Sequence, residues 1–161
     1  DPDVLEEMLA RVEAKKDEED SVGGVVECRI RGVNPGLGEP VFDKLDALFA
    51  HAMLSIGSVK GFEVGSGFRA ADMSGSEHTN NAGGIIGGIS TGEEIVFRVA
   101  VKPTSSIAKE QRTVDLQGQE QTIKTEGRHD ACICPRIVPV VEAMACLVLE
   151  DQYKRQAAML A

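Results

Sequence analysis

The sequence has no tryptophan, one tyrosine and five phenylalanines among its 161 residues. Aliphatic side chains must therefore supply most of any core, and few flat rings are available to stack nucleic-acid bases. A basic balance is missing too. The formal net charge is -9 at pH 7, which repels a phosphate backbone and leaves only a local basic pocket to hold a phosphate group. No run of about 18 apolar residues occurs, and the opening Asp1-Pro2-Asp3 is acidic where a secretory leader would be basic and then apolar. The expectation is a soluble protein without membrane or nucleic-acid partners. Four cysteines, Cys28, Cys132, Cys134 and Cys146, lack the density of a small secreted disulfide scaffold and read as reduced thiols of a cytoplasmic protein.

What is present fits one domain over residues 1–161, with 42% apolar residues for a core. The chain opens without methionine inside an apparent helix, which predicts a preceding segment. Val4, Leu5, Met8, Leu9 and Val12 recur at helical spacing behind Pro2, predicting an amphipathic helix with one buried stripe. Val26, Cys28 and Ile30 then alternate with charged residues, as in a half-buried strand. The prolines and glycines of residues 34–40 demand a shaped loop. Phe42, Leu45, Leu48, Phe49, Ala52, Met53 and Ile56 predict a second amphipathic helix, with His51 off its stripe on the surface. A probable strand covers residues 59–64. Gly65, Gly67 and Ala70 match a dinucleotide fingerprint only formally, because residues 71–75 read as loop where the motif needs a helix. The polar residues 74–81, with His78, are expected to be exposed.

Residues 82–92 hold two glycine pairs separated by two isoleucines. Such a backbone suits close approach to a flat ring or phosphate, with the isoleucines anchored beneath, and equally suits a tight structural crossover. Ile95, Phe97, Val99 and Val101 then mark a firmly embedded strand. Lys102 emerges at its end, followed by Pro103, Thr104, Ser105 and Ser106. An ammonium beside three hydroxyls and several amide donors can hold a phosphate monoester, although a polar loop after a strand has the same composition. A glycine at residue 118 marks a hairpin turn. Arg128, His129, Asp130 and Arg136 form a charged cluster backed by the apolar residues 138–149, expected as a helix starting at Pro139 and apolar nearly all round, central or at a subunit contact. Cys132, Cys134 and His129 lack a fourth ligand at workable spacing, so no metal is expected.

Five motifs in order carry a resemblance: Ser21-Val22-Gly23-Gly24, residues 36–46 from Gly36-Leu37-Gly38-Glu39-Pro40, residues 82–90, Lys102-Pro103-Thr104-Ser105-Ser106, and Gly127-Arg128-His129-Asp130. Together they resemble the chorismate synthase family, in its carboxy-terminal half. The resemblance implies an α/β (α+β) fold with antiparallel sheet covered by helices. It also implies a homotetramer and a carbon–oxygen lyase that eliminates phosphate from 5-enolpyruvylshikimate 3-phosphate with the help of reduced FMN. By similarity, FMN contacts fall on Gly57, Ser58, Gly87, Lys102, Pro103, Thr104, Ser105, Ser106 and Arg128, and Asp130 is the catalytic base. His129 reads as an orienting neighbour. The family's two catalytic histidines belong to the preceding half, so the chain is expected to be inactive alone; the alternative is a non-catalytic assembly or flavin-binding module. The chain departs from the family pattern at Gly57-Ser58, where relatives usually have Asn-Ala, at Ala131 (Pro), at Asn81 (His), and between Ser76 and Asn80, where it is shorter.

Overall fold

The computed structural model describes residues 2–76 and 80–160, so His78 lies outside the described residues. The fold is α+β, with antiparallel sheet and helices. Two compact units divide the chain: Asp1–Gly24 with Lys102–Pro135, and Val25–Val101 with Arg136–Ala161.

The second unit is built on a three-stranded sheet. Its strands are β1 (Gly24–Ile30), β2 (Val59–Val64) and β5 (Ile95–Val101), with β5 in the middle. β2 pairs antiparallel with β5, with an irregularity between Val59 and Gly61. The period-2 pattern is obeyed: Ile95, Phe97 and Val99 are wholly buried and Val101 nearly so, while Ala100 faces outward. Helix α2 (Leu45–Leu54) packs against β2 through Leu45, Phe49 and Met53. Phe97 is the pivot of this core, with its ring centroid 5.2 Å from Phe49 and 5.4 Å from Phe62. The predicted helix stripe is real from Leu45 onward. Phe42, by contrast, lies before the helix and is 87% exposed, because residues 39–43 form a loop closed by the Glu39 N–H donating to the Asp43 carbonyl.

Between β2 and β5, β3 (Ile85–Ile86) and β4 (Ile89–Ser90) form a minimal hairpin. Its two-residue turn is Gly87-Gly88, with φ of 63° and 88°. A type I′ turn needs positive φ at both central positions, which explains the second glycine pair. Of the two isoleucines between the glycine pairs, Ile85 is buried and Ile86 is 64% exposed, so the expectation that both lie beneath is corrected by the pleat, which points neighbours to opposite faces. A short 3-10 helix at Gly67–Asp72 follows β2, where a dinucleotide site would need a full α-helix.

Helix α3 (Cys134–Leu160) begins before the expected start at Pro139, which lies inside it. Pro139 is the sixth residue of the helix, past the first four N–H groups that lack an intrahelical partner, so it removes the bond an N–H there would give to the Pro135 carbonyl without ending the helix. Its buried stripe is Ile137, Val141, Ala145 and Gln152, whereas Val138, Val140 and Leu147 are exposed, so the apolar composition is not matched by all-round burial.

The first unit holds α1 (Leu5–Asp17) and the hairpin of β6 (Gln111–Val114) with β7 (Glu120–Ile123). Asp115 closes that hairpin by accepting from the N–H groups of Gln117 and Gln119, both at 2.9 Å. The expected buried stripe of α1 is overturned: none of its residues is buried, and Leu5, Met8 and Leu9 are more than half exposed. Periodicity reports which residues share a face, not whether anything covers it.

Candidate functional site

Two of the predicted segments lie together in the first unit, joined by a short connector that is the start of a third, the Ser21-Val22-Gly23-Gly24 motif. Ser21 donates its hydroxyl to the Thr104 carbonyl at 2.6 Å, and the adjacent Val22 N–H donates to the Ala131 carbonyl at 2.8 Å. Neighbouring residues therefore hold the loop of residues 102–106 and the segment of residues 127–131. Asp20 secures the connector: its carboxylate accepts from the Ser21 N–H at 2.8 Å and from the Lys109 ammonium at 3.3 Å. The Ser21 N–H, and after it Lys109, hold that carboxyl below the ordinary carboxylate value. Flanking residues add two links: Gln111 donates to the Ser105 carbonyl at 3.3 Å and the Thr125 N–H to the Ile107 carbonyl at 3.4 Å.

On this frame Lys102 and Arg128 are exposed and make no ion pair or hydrogen bond among the described residues. Thr104 Oγ1 is buried and has no hydrogen-bond partner among them. Asp130 is half-buried. His129 has its Nε2 3.0 Å from the Thr125 carbonyl; a carbonyl only accepts, so Nε2 carries the proton and the ring is committed to holding the loop. Cys134, partly buried with Cys132 as hydrogen-bond neighbour, has its thiol pushed up to about 11, chiefly by burial. Among the described residues no group of three or more metal-ligating side chains forms.

The other predicted contacts belong to the second unit. Gly57 is exposed in the turn after α2, and Ser58 beside it has φ of 71°, unusual for a residue with a side chain. Gly87 sits at the hairpin tip with nothing within 4 Å of where a Cβ would stand, so the outer side of its backbone is open. The tip is fixed by Ser90, which is 3% exposed. Its hydroxyl donates to the Asn34 carbonyl at 2.7 Å and accepts from the Leu37 N–H at 2.8 Å, while main-chain bonds of 2.9 Å join Ser90 to Gly36 and Leu37.

Ser21 and Ser90 both escape inspection of the sequence. Ser90 lies in β4 and Ser21 in the stretch before β1, and the one signal is that each bounds a shared motif, Ser21 opening residues 21–24 and Ser90 closing residues 82–90.

Fold and site define an α+β protein with an anion-suited edge, two cations without partners among the described residues on segments tied through residues 21 and 22. A sequence model of the family described as chorismate synthase matches residues 1–153. The chain belongs to the chorismate synthase family. It is 52% identical to the chorismate synthase of Akkermansia muciniphila, over 97% of this chain and 47% of that protein. It is 53% identical to that of Methylacidiphilum infernorum, over 96% of this chain and 46% of the relative. A crystal structure of chorismate synthase matches with a TM-score of 0.76 and 32% identity, covering 96% of this chain and 44% of that one. The chain thus spans about half the length of the curated relatives it matches. The Akkermansia alignment runs over 170 positions, more than this chain's 161 residues, so that relative carries residues absent here within the matched span.

Proposed function

We propose that this chain is the carboxy-terminal half of a chorismate synthase, contributing the cofactor-phosphate edge and one acid–base group. The reaction is the FMN-dependent 1,4-anti elimination of phosphate from 5-enolpyruvylshikimate 3-phosphate, giving chorismate, a step of the shikimate pathway toward aromatic amino acids. The observation that carries this reading is a pair of cations without partners among the described residues, Lys102 and Arg128, on segments tied through residues 21 and 22 in a chain of this family.

The chemistry of the residues fits a flavin phosphate. Lys102 offers a point charge and Arg128 a planar fork of donors, both suited to phosphate oxygens. Thr104 Oγ1 is an unspent donor that a χ1 rotation turns toward an incoming oxygen. Pro103, Ser105 and Ser106 complete the loop, and Gly57, Ser58 and Gly87 are FMN contacts by family resemblance alone. Reduced FMN, when bound, supplies a reversible store of charge for a reaction that is redox-neutral overall. Asp130 is the base, taking up a proton on its carboxylate. His129 orients the segment through Thr125. The same reading carries a cytoplasmic homotetramer, for which the exposed Val138, Val140 and Leu147 of α3 supply contact surface. Among the described residues, no helix is long and apolar enough to cross a membrane.

The test is Asp130→Asn in the full-length enzyme, supplied with reduced FMN and substrate. The expected outcome is retained FMN binding with phosphate release slowed about a hundredfold or more; unchanged turnover rejects Asp130 as base. Phosphate release by the purified 161-residue chain alone would overturn the need for the other half.

A further inference from the structure

We propose that Ser21 is a positioning residue that sets the direction of the Thr104–Ser105 peptide and thereby presents the Ser105 N–H as an anion donor. The inference rests on the cofactor reading above and adds a residue to it. Ser21 is 9% exposed, and its 2.6 Å bond to the Thr104 carbonyl spans 83 positions of the chain. In a trans peptide the carbonyl of one residue and the N–H of the next point in opposite directions. Fixing the Thr104 carbonyl on Ser21 therefore turns the Ser105 N–H to the side away from Ser21. That N–H makes no hydrogen bond among the described residues. It stands in the same loop as Lys102, which is likewise unpaired there.

Among the described residues nothing else in the loop does this work. The Thr104 hydroxyl has no partner among the described residues, and Gln111 reaches the Ser105 carbonyl only at 3.3 Å from an exposed position. The connector, in contrast, is rigid on both sides. Val22 is pinned to Ala131, and the Ser21 N–H is pinned to Asp20, itself paired with Lys109. Ser21 thus couples the direction of one peptide in the phosphate loop to the position of the segment bearing Arg128 and Asp130. Without its hydroxyl the Thr104–Ser105 peptide is free to rotate, and the donor is no longer aimed.

The experiment uses the full-length protein with Ser21→Ala and Ser21→Thr, titrated with FMN, together with the 13C shift of the Thr104 carbonyl in selectively labelled, flavin-free protein. Loss of one aimed, charge-assisted hydrogen bond predicts about a tenfold weaker FMN affinity for Ser21→Ala. A moved Thr104 carbonyl shift and an altered 31P shift of bound FMN should accompany it, neither of which a general loss of stability produces. Ser21→Thr keeps the oxygen and should restore affinity to within about twofold. Unchanged affinity, or an unmoved Thr104 carbonyl in Ser21→Ala, overturns the proposal. If Ser21→Ala does not fold, Ser21→Thr decides: wild-type affinity supports the role, and a tenfold loss overturns it. Absence of FMN binding by the wild-type protein overturns the cofactor reading instead, while the carbonyl shift still judges Ser21.

Discussion

Removing one oxygen from Ser90 should loosen the second unit far more than its size suggests. The hydroxyl serves two partners, donating to the Asn34 carbonyl and accepting from the Leu37 N–H, at 2.7 and 2.8 Å. Leu37 is 2% exposed, so in Ser90→Ala its N–H has no water to turn to and carries a desolvation penalty of about 1–3 kcal/mol. Asn34 is exposed, so its carbonyl can be rehydrated and only the net worth of that bond is lost, about 0.5–1.5 kcal/mol. The main-chain bonds from Gly36 and to Leu37 survive. The sum predicts a destabilisation of about 1.5–4.5 kcal/mol. Urea unfolding followed by tyrosine fluorescence measures it, because the sole tyrosine, Tyr153, accepts from the Asn34 N–H at 3.0 Å and so reports on this same loop. Ser55→Ala is the control: that exposed hydroxyl donates to the His51 carbonyl at 2.7 Å, and its loss should cost less than about 0.5 kcal/mol. Equal effects of the two substitutions would refute the reasoning.

Phe97→Ala, which empties the ring contacts with Phe49 and Phe62, should cost about 3–5 kcal/mol in the same assay. Gln152→Met should instead stabilise by about 1 kcal/mol, since Gln152 is 2% exposed and its Nε2 has no partner among the described residues. Lys102→Ala and Arg128→Ala in the full-length enzyme should each weaken FMN binding by about tenfold to a hundredfold, read by flavin absorbance, and more at low salt than at high. Burial, with Glu142 and Cys146 adding to it, pushes the Cys28 thiol up to about 11 from 9.0, so at pH 8 its alkylation should run about a hundredfold slower than that of an ordinary thiol. The Gln119 and Gln117 N–H groups hold the Asp115 carboxyl below its ordinary value. Its contribution to the hairpin is therefore present above about pH 4 and lost as pH falls through the lowered value, which amide shifts of residues 117 and 119 should follow; a midpoint at or above the ordinary value contradicts this.

Local periodicity made much of the fold legible. β5 announced itself because alternate side chains of a central strand must be apolar, and Ile95, Phe97, Val99 and Val101 are. α2 was legible from Leu45 onward because its stripe is answered by a sheet. The α1 stripe was equally regular, yet coverage is a tertiary property that spacing does not encode. Pro139 misled because a proline tolerated early in a helix resembles one that starts it. In the site, Lys102 was readable as an ammonium at a strand end beside hydroxyls, and Arg128 as a member of a charged cluster ahead of an apolar run. Ser21 was not, since its role depends on a partner 83 residues away.

The bare apolar side of α1 has a consequence for amide exchange. A thirteen-residue helix with no buried side chain rests on local terms alone, its Lys15–Glu18 pair at 2.7 Å among them. At that length local terms leave a helix close to the coil transition in water. In deuterated buffer its backbone should therefore surrender its protons orders of magnitude sooner than β5, and any surface that settles on Leu5, Met8 and Leu9 would announce itself as protection there.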